Sequence, residues 1–306
     1  MGDGLIVTVV GYDESAMITE VTSTIKKLGG NITSIKTSII SDFLIMNLAV
    51  DVSKTTCNRN EFIERVKESA LRVGVGVSIE DEGSFSRKKR LVAFDMDGTI
   101  LDVEAIDEIA KYAGVQDKVS ELTRKAMNGE INFEEALRER VRLLRGLPVK
   151  VIEEVVEGLP TVKGAKEVIR TLKSMNLITV LVTGGFDVVA KKLAERLGFD
   201  YWFANKLGVE NDKLNGEVEV VVSGGESKLR ILRDLAKAHG ISLKECIAVG
   251  DGANDLEVLE NVGLGIGFKP KPIVGRKVKA VINISDMNAI LALIATDKLK
   301  EEGREA

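Results

Sequence analysis

Two aspartates two residues apart stand where the apolar run Leu91-Val92-Ala93-Phe94 gives way to Asp95-Met96-Asp97-Gly98-Thr99-Ile100. A short, wholly apolar run is the pattern of a strand buried in a parallel sheet. Two carboxylates at its carboxyl end are costly unless something pairs with them; a hard cation with oxygen ligands would. Gly98 lets the chain turn sharply away from the sheet. Taken alone, an acidic turn between strand and helix accounts for the pair equally well. Three further features have the same character. Val182-Thr183-Gly184-Gly185-Phe186 sets a hydroxyl and exposed backbone N–H groups before a helix expected from about Asp187, an arrangement that suits phosphate. Val249-Gly250-Asp251-Gly252-Ala253-Asn254-Asp255 places acids and glycines at another strand end, although Asp255 alone would serve as a charge favoured at a helix N-terminus. Lys228 opens a helix after Gly224-Gly225 and alone would pass for a surface lysine. Four such features on the ligand-binding edge of one sheet argue for a site.

The elements that would position them fall into two groups. Residues 4–11 alternate as a strand, 15–28 carry apolar positions at helical spacing up to Gly29-Gly30, strands follow at about 31–39 and 43–51, then a helix over Glu61 to Val73 and a strand over Val75 to Ile79. That order, βαββαβ, is the ferredoxin-like plan. Asp81 to Arg90 is polar and charged and marks a boundary, giving expected domains of 1–85 and 86–306. From Leu91 apolar runs (Ile178–Val182, Cys246–Val249, Leu264–Ile266, Ala280–Ile282) alternate with helical segments, the pattern of a doubly wound α/β sheet. About 105–158 reads as helices without a strand, a cap over the sheet's carboxyl edge; the charged segment from Asp297 is expected to fray.

Composition narrows the classes. The chain has 306 residues, enough for two domains, with 44% hydrophobic and 29% charged residues and a net charge of −4. An acidic chain whose basic tract is the short Arg87-Lys88-Lys89-Arg90 argues against a nucleic-acid partner. No apolar run reaches the roughly 18 residues of a membrane span, and no signal-peptide pattern opens the chain. Cys57 and Cys246 form no CxxC pair, which fits a reducing, cytoplasmic compartment. The single histidine, His239, reads as a helix C-terminal residue rather than a triad member. Gly263-Leu264-Gly265-Ile266-Gly267 is not a dinucleotide fingerprint, and no GxxxxGK[ST] loop occurs.

The succession DxDGT, hydroxyl-Gly-Gly, lysine, GDGxND resembles the haloacid dehalogenase superfamily. Glu104 to Ala110, Ala126-Met127, Ile131-Asn132-Phe133, Leu137 to Val141 and Phe203-Ala204-Asn205 narrow the resemblance to the phosphoserine phosphatase family, over about residues 90–295. The resemblance implies a Rossmann-like sheet with a helical cap, and Mg²⁺-dependent hydrolysis of O-phospho-L-serine through an aspartyl-phosphate, the closing step of serine biosynthesis. It makes Asp95 the nucleophile and Asp97 the acid that protonates the leaving oxygen and then activates water. Mg²⁺ would be held by Asp95, the backbone carbonyl of Asp97, and Asp251, with Asp255 supporting from behind. Thr183, Gly184 and Lys228 would bind the phosphoryl oxygens and Asn254 would complete that pocket. In the cap, Glu104 would take the substrate's ammonium, Arg140 its carboxylate, and Met127 with Phe133 would wall out water. Thr183 stands where the family often has serine, and Gly98 where many members have serine.

Residues 4–80 resemble an ACT domain, through Val10-Gly11-Tyr12-Asp13 and Gly30-Asn31-Ile32. Such a module implies a homodimer, an L-serine site with feedback inhibition, or both; Asp13-Glu14-Ser15-Ala16 lacks the glycine that many such domains carry at the first helix. Three other functions compete: transfer of the phosphoryl group to an alcohol such as homoserine, hydrolysis of another small phosphomonoester, and a non-catalytic amino-acid-sensing regulator. A regulator need not keep Asp95, Asp97, Lys228 and Asp251 together, and Glu104 with Arg140 favours an amino-acid substrate.

Overall fold

The computed structural model describes residues 4–12, 14–40, 42–127 and 130–294, without the side chains of residues 14, 15, 127 and 133. The chain begins with β1 (Gly4–Gly11), α1 (Glu14–Lys27), β2 (Asn31–Ile40), β3 (Phe43–Asp51), α2 (Arg59–Arg72) and β4 (Gly76–Asp81). Asn58 caps α2 by accepting the Glu61 N–H at 3.0 Å. The four strands are antiparallel neighbours in the order β2-β3-β1-β4, the ferredoxin-like arrangement. Alternate residues of these strands face α1 and α2: Val7, Val9, Met46, Leu48, Val77 and Ile79 form one core with Met17, Val21, Phe62 and Val66.

After a short α3 (Glu82–Phe85) the chain enters β5 (Leu91–Phe94), followed by the helices α4 (Ala105–Tyr112), α5 (Gln116–Met127), α6 (Phe133–Leu143) and α7 (Val149–Gly158). Then come α8 (Ala165–Ser174), β6 (Ile178–Phe186), α9 (Asp187–Leu197), β7 (Tyr201–Glu210), β8 (Lys213–Glu219) and α10 (Gly225–Ala238). The chain continues through β9 (Cys246–Gly250), α11 (Leu256–Asn261), β10 (Leu264–Phe268), α12 (Pro272–Lys277), β11 (Ala280–Ile282) and α13 (Ala289–Ile294). β5 lies between β9 and β6, parallel to both, with all four of its residues buried. From β5 the chain proceeds outward through β6 and β7, then returns to lay β9, β10 and β11 on the other side. The strand order therefore reverses beside β5, where a crevice opens at the carboxyl ends of the strands.

Two features were not in the sequence reading. β7 and β8 form a hairpin whose turn residues Asn211 and Asp212 both have positive φ, the backbone of a two-residue primed turn. And β4 pairs antiparallel with β11, through Val77↔Val281 and Ser78↔Ala280. The two expected sheets are thus one sheet of eleven strands, ordered β2-β3-β1-β4-β11-β10-β9-β5-β6-β7-β8, and Val10, Phe43 and Ile45 of the front half join the hydrophobic core of the second half. No helix among the described residues is long and apolar enough to cross a membrane.

Candidate active site

The crevice holds a cavity of about 380 Å³ between the strand ends and the cap. β5 delivers Asp95, which is 6% exposed; β6 delivers Thr183, 1% exposed; β9 delivers Asp251. The Lys228 ammonium, 2% exposed in the first turn of α10, lies 2.5 Å from Asp95 Oδ1 and 2.6 Å from Asp255 Oδ1. Burial works against that charge, but Asp255 and Asp95 more than restore it, so the ammonium pKa is raised. The remaining Asp255 oxygen accepts the Gly252 N–H at 3.2 Å. Lys228, expected as a helix-opening side chain, is therefore the buried counter-ion of two aspartates.

Burial, then Asp255 and Asp251, raise the Asp95 pKa to about 7 against the pull of Lys228. Burial likewise raises Asp251. Asp97 is turned the other way: its Oδ1 accepts the Ala105 N–H at 2.8 Å, at the start of the cap. Burial and the neighbouring Glu104 push its pKa well above the ordinary range, which favours the protonated form of a general acid. Asp95, Asp251 and Asp255 bring one carboxylate oxygen each within 4.8 Å of one another. The Asp97 carboxylate is outside that trio, so only its backbone is left for the metal role the resemblance gave it.

A divalent cation fits this cluster on three grounds. The donors are all oxygens, which suits a hard cation. Asp95, Asp97, Glu104, Asp251 and Asp255 face Lys228, Lys271 and Arg140, so a fully ionised site carries two negative charges in excess. Finally, Gly98 has φ +75°, and a Cβ on it would lie 2.8 Å from Asp251 Oδ2, so the close packing of the two acidic loops needs glycine there.

Glu104 and Arg140 line the cap side of the same cavity. Arg140 is 7% exposed, not an exposed helix charge. Its Nε donates to the Ala136 carbonyl at 3.2 Å and its Nη1 to Thr123 Oγ1 at 3.1 Å. Those two bonds fix the guanidinium plane while the fork keeps further donors for a ligand. Burial raises the Glu104 pKa and Asp251 adds to it, against Lys271 and Arg140. Gly184 and Asn254 line the cavity opposite. Met127 ends α5 and Phe133 opens α6, but their side chains lie outside the described residues, so the expected apolar wall is not visible.

Three contributors escaped the sequence reading as site residues. Lys271 follows the carboxyl end of β10 and lies 3.6 Å from Asp251 Oδ2. The signal is in the sequence: the apolar run Leu264 to Ile266 reads as a buried strand, and its far end carries Lys269-Pro270-Lys271. Asn205, fully buried, donates to the carbonyls of Gly184 (2.9 Å) and Val222 (3.0 Å) and accepts from Val221 and Val222 N–H (both 2.7 Å). It clamps the glycine loop to the segment leading into α10. Thr123 positions Arg140 through a contact between helices that no local pattern encodes.

Residues 89–263 match the haloacid dehalogenase-like hydrolase family. The chain is 43% identical over 245 residues to the phosphoserine phosphatase of Archaeoglobus fulgidus, covering 80% of this chain and 70% of that protein. A solved structure described as a phospho-aspartyl intermediate analogue of phosphoserine phosphatase is 43% identical, with TM-score 0.64 over 68% of this chain and 100% of that one. A probable phosphoserine phosphatase of Vibrio cholerae, 27% identical, has TM-score 0.76 over 97% of this chain and 88% of its own. With the motifs and the cavity they surround, these likenesses make this chain a member of the phosphoserine phosphatase family within the haloacid dehalogenase superfamily.

Proposed function

We infer that the chain hydrolyses O-phospho-L-serine to L-serine and phosphate in two displacements at Asp95. One observation carries the reading: a buried carboxylate held by a buried lysine faces a cavity whose far wall presents both an acid, Glu104, and a guanidinium, Arg140. A phosphorylated zwitterionic amino acid has the matching charges. Its phosphate meets Lys228, Thr183 and the Gly184 backbone, its carboxylate the Arg140 fork, its ammonium Glu104.

In the first step an Asp95 oxygen attacks phosphorus, forming the aspartyl O–P bond. The serine O–P bond breaks, and Asp97 passes its proton to the leaving oxygen. In the second step Asp97 takes a proton from water, whose oxygen attacks the same phosphorus and releases phosphate and free Asp95. Asp95, Asp251 and the Asp97 carbonyl are the groups that would hold Mg²⁺, which would neutralise phosphoryl charge as a Lewis acid. Asp255 keeps both oxygens on Lys228 and Gly252, so it supports the cluster from behind. The solved phospho-aspartyl analogue in the same family supports the covalent route.

The front domain is read as an ACT-like module that pairs with a second copy. In support, β2 is the outermost strand, paired on one side only, with Ile35 and Ile39 exposed.

The test is phosphate release from a panel of phosphomonoesters with and without EDTA. Phosphoserine should lead esters that lack the carboxylate, EDTA should abolish turnover, and Asp95→Asn should lose at least about a thousandfold in kcat. A different leading ester would overturn the roles of Glu104 and Arg140; release of a phosphorylated alcohol instead of phosphate would make the chain a transferase.

A further inference from the structure

The site's Lys271 caps a helix whose other end is held by the front domain. α12 spans six residues, about 9 Å. At its start the Lys271 N–H donates to the Asp251 carbonyl at 2.9 Å, and the Lys271 carbonyl accepts from Val274 and Gly275 N–H at 2.9 and 3.1 Å. Its side chain reaches toward Asp251 and offsets the burial of Glu104. Any shift of α12 along its axis therefore moves a lysine between a metal-cluster carboxylate and the carboxylate that faces the substrate's ammonium.

At the other end, Lys67 of α2 reaches across from the front domain. Its ammonium, 5% exposed, donates to the Arg276 carbonyl at 3.0 Å and the Val278 carbonyl at 3.1 Å. These carbonyls belong to the last turn and the end of α12, where a helix leaves acceptors unsatisfied and carries its negative pole. A desolvated ammonium satisfied by two carbonyls is costly, and burial does disfavour its charge. Lysine at this position purchases a fixed geometry that a leucine filling the same space would not. The connection just beyond is gripped as well: Ile79 N–H donates to the Lys279 carbonyl at 3.2 Å, and β4 pairs with β11.

We propose that Lys67 is a positioning residue through which the front domain sets the location of α12 and hence of Lys271 in the site. The proposal rests on the phosphoserine reading above. The solved phospho-aspartyl analogue, matched over its whole length by 68% of this chain, shows that the family's fold stands with about a third less chain. Lys67 lies outside residues 89–263, the part of the chain that matches the hydrolase family, so the anchor is suited to letting the front domain alter the site.

A double-mutant cycle on the full chain tests it, with phosphoserine as substrate and saturating Mg²⁺. Lys67→Met should raise KM about five- to tenfold while kcat changes less than about twofold. In a Lys271→Met background the same substitution should raise KM no further, because the coupling runs through Lys271. A purely structural loss would add equally in both backgrounds and overturns the proposal, as does an unchanged KM in the single variant. If Lys67→Met does not fold by circular dichroism, Lys67→Gln, which keeps a donor, carries the same cycle. Parent turnover separates the levels: no phosphoserine hydrolysis by the unmodified chain removes the reading of the site, whereas normal turnover with no effect at Lys67 removes only the anchor.

Discussion

Gly98 concentrates the demands of the site at one residue. Its φ of +75° is disfavoured for any residue with a Cβ, and that Cβ would press on the Asp251 carboxylate at 2.8 Å. Strain alone costs about 1–2 kcal/mol, but the functional consequence is larger because Asp251 has to move. Gly98→Ala is therefore expected to raise the Mg²⁺ concentration for half-maximal activity about tenfold or more, the usual scale for a disturbed metal ligand shell. Magnesium titration of phosphoserine turnover checks this; an unchanged half-saturation point would place the metal elsewhere.

Among the elements, the glycine segment at the carboxyl end of β6 depends on Asn205 more than on its own sequence. Four hydrogen bonds, all under 3.1 Å, tie that one amide to Gly184 and to Val221 and Val222. Asn205→Leu fills similar space and leaves those groups without partners, the Val222 carbonyl and N–H fully buried and the Gly184 carbonyl and Val221 N–H half-buried. At about 1 kcal/mol or more for each orphaned group, the chain should lose roughly 4 kcal/mol of stability, read from denaturant midpoints. A loss below about 1 kcal/mol would mean that the loop holds its shape unaided. The hairpin β7–β8 lay hidden for a related reason. Its strands mix apolar and charged positions, and only the turn at Asn211-Asp212 carries a clear local signature. The α10 lysine shows the reverse. Lys228 looks ordinary in its segment and becomes decisive only when β5 and the turn after β9 bring two aspartates to it.

On the scale of the whole molecule, the junction of the two halves carries a titratable group. Glu80, on β4 beside the junction, is 4% exposed with its Oε2 unpartnered. Burial raises its pKa above 4.5, partly countered by Lys89, Ser84, Lys279 and Ser78. A carboxyl raised in this way binds its proton more tightly when folded. Its contribution to stability is full below the ordinary range near 4.5 and is lost as pH rises through the raised folded value. Glu80→Gln removes that loss. The variant should match the parent near pH 4 and exceed it by about 1 kcal/mol at pH 8, a typical scale for an unpartnered buried acceptor. Urea midpoints across that range measure it; a difference that does not grow with pH would rule out Glu80 as the cause.

The amino-acid sequence alone determined the order of elements before residues 82–90 and, the β7–β8 hairpin apart, the alternation of strands and helices after them, because alternation and helical spacing are local properties of the chain. It also determined that Asp95, Asp97, Thr183 and Asp251 belong together, because parallel strands buried on both faces must end at a common edge. Only the tertiary structure decided which carboxylates share a cluster and which one turns to the cap, since Asp95 and Asp97 differ in neighbours rather than in type. It alone decided that β4 closes onto β11, that Lys67 of α2 holds the far end of the helix that Lys271 caps, and that Thr123 orients Arg140. Each of these is a contact between segments distant in sequence, and side-chain periodicity carries no record of which exposed edge or cation will meet which partner.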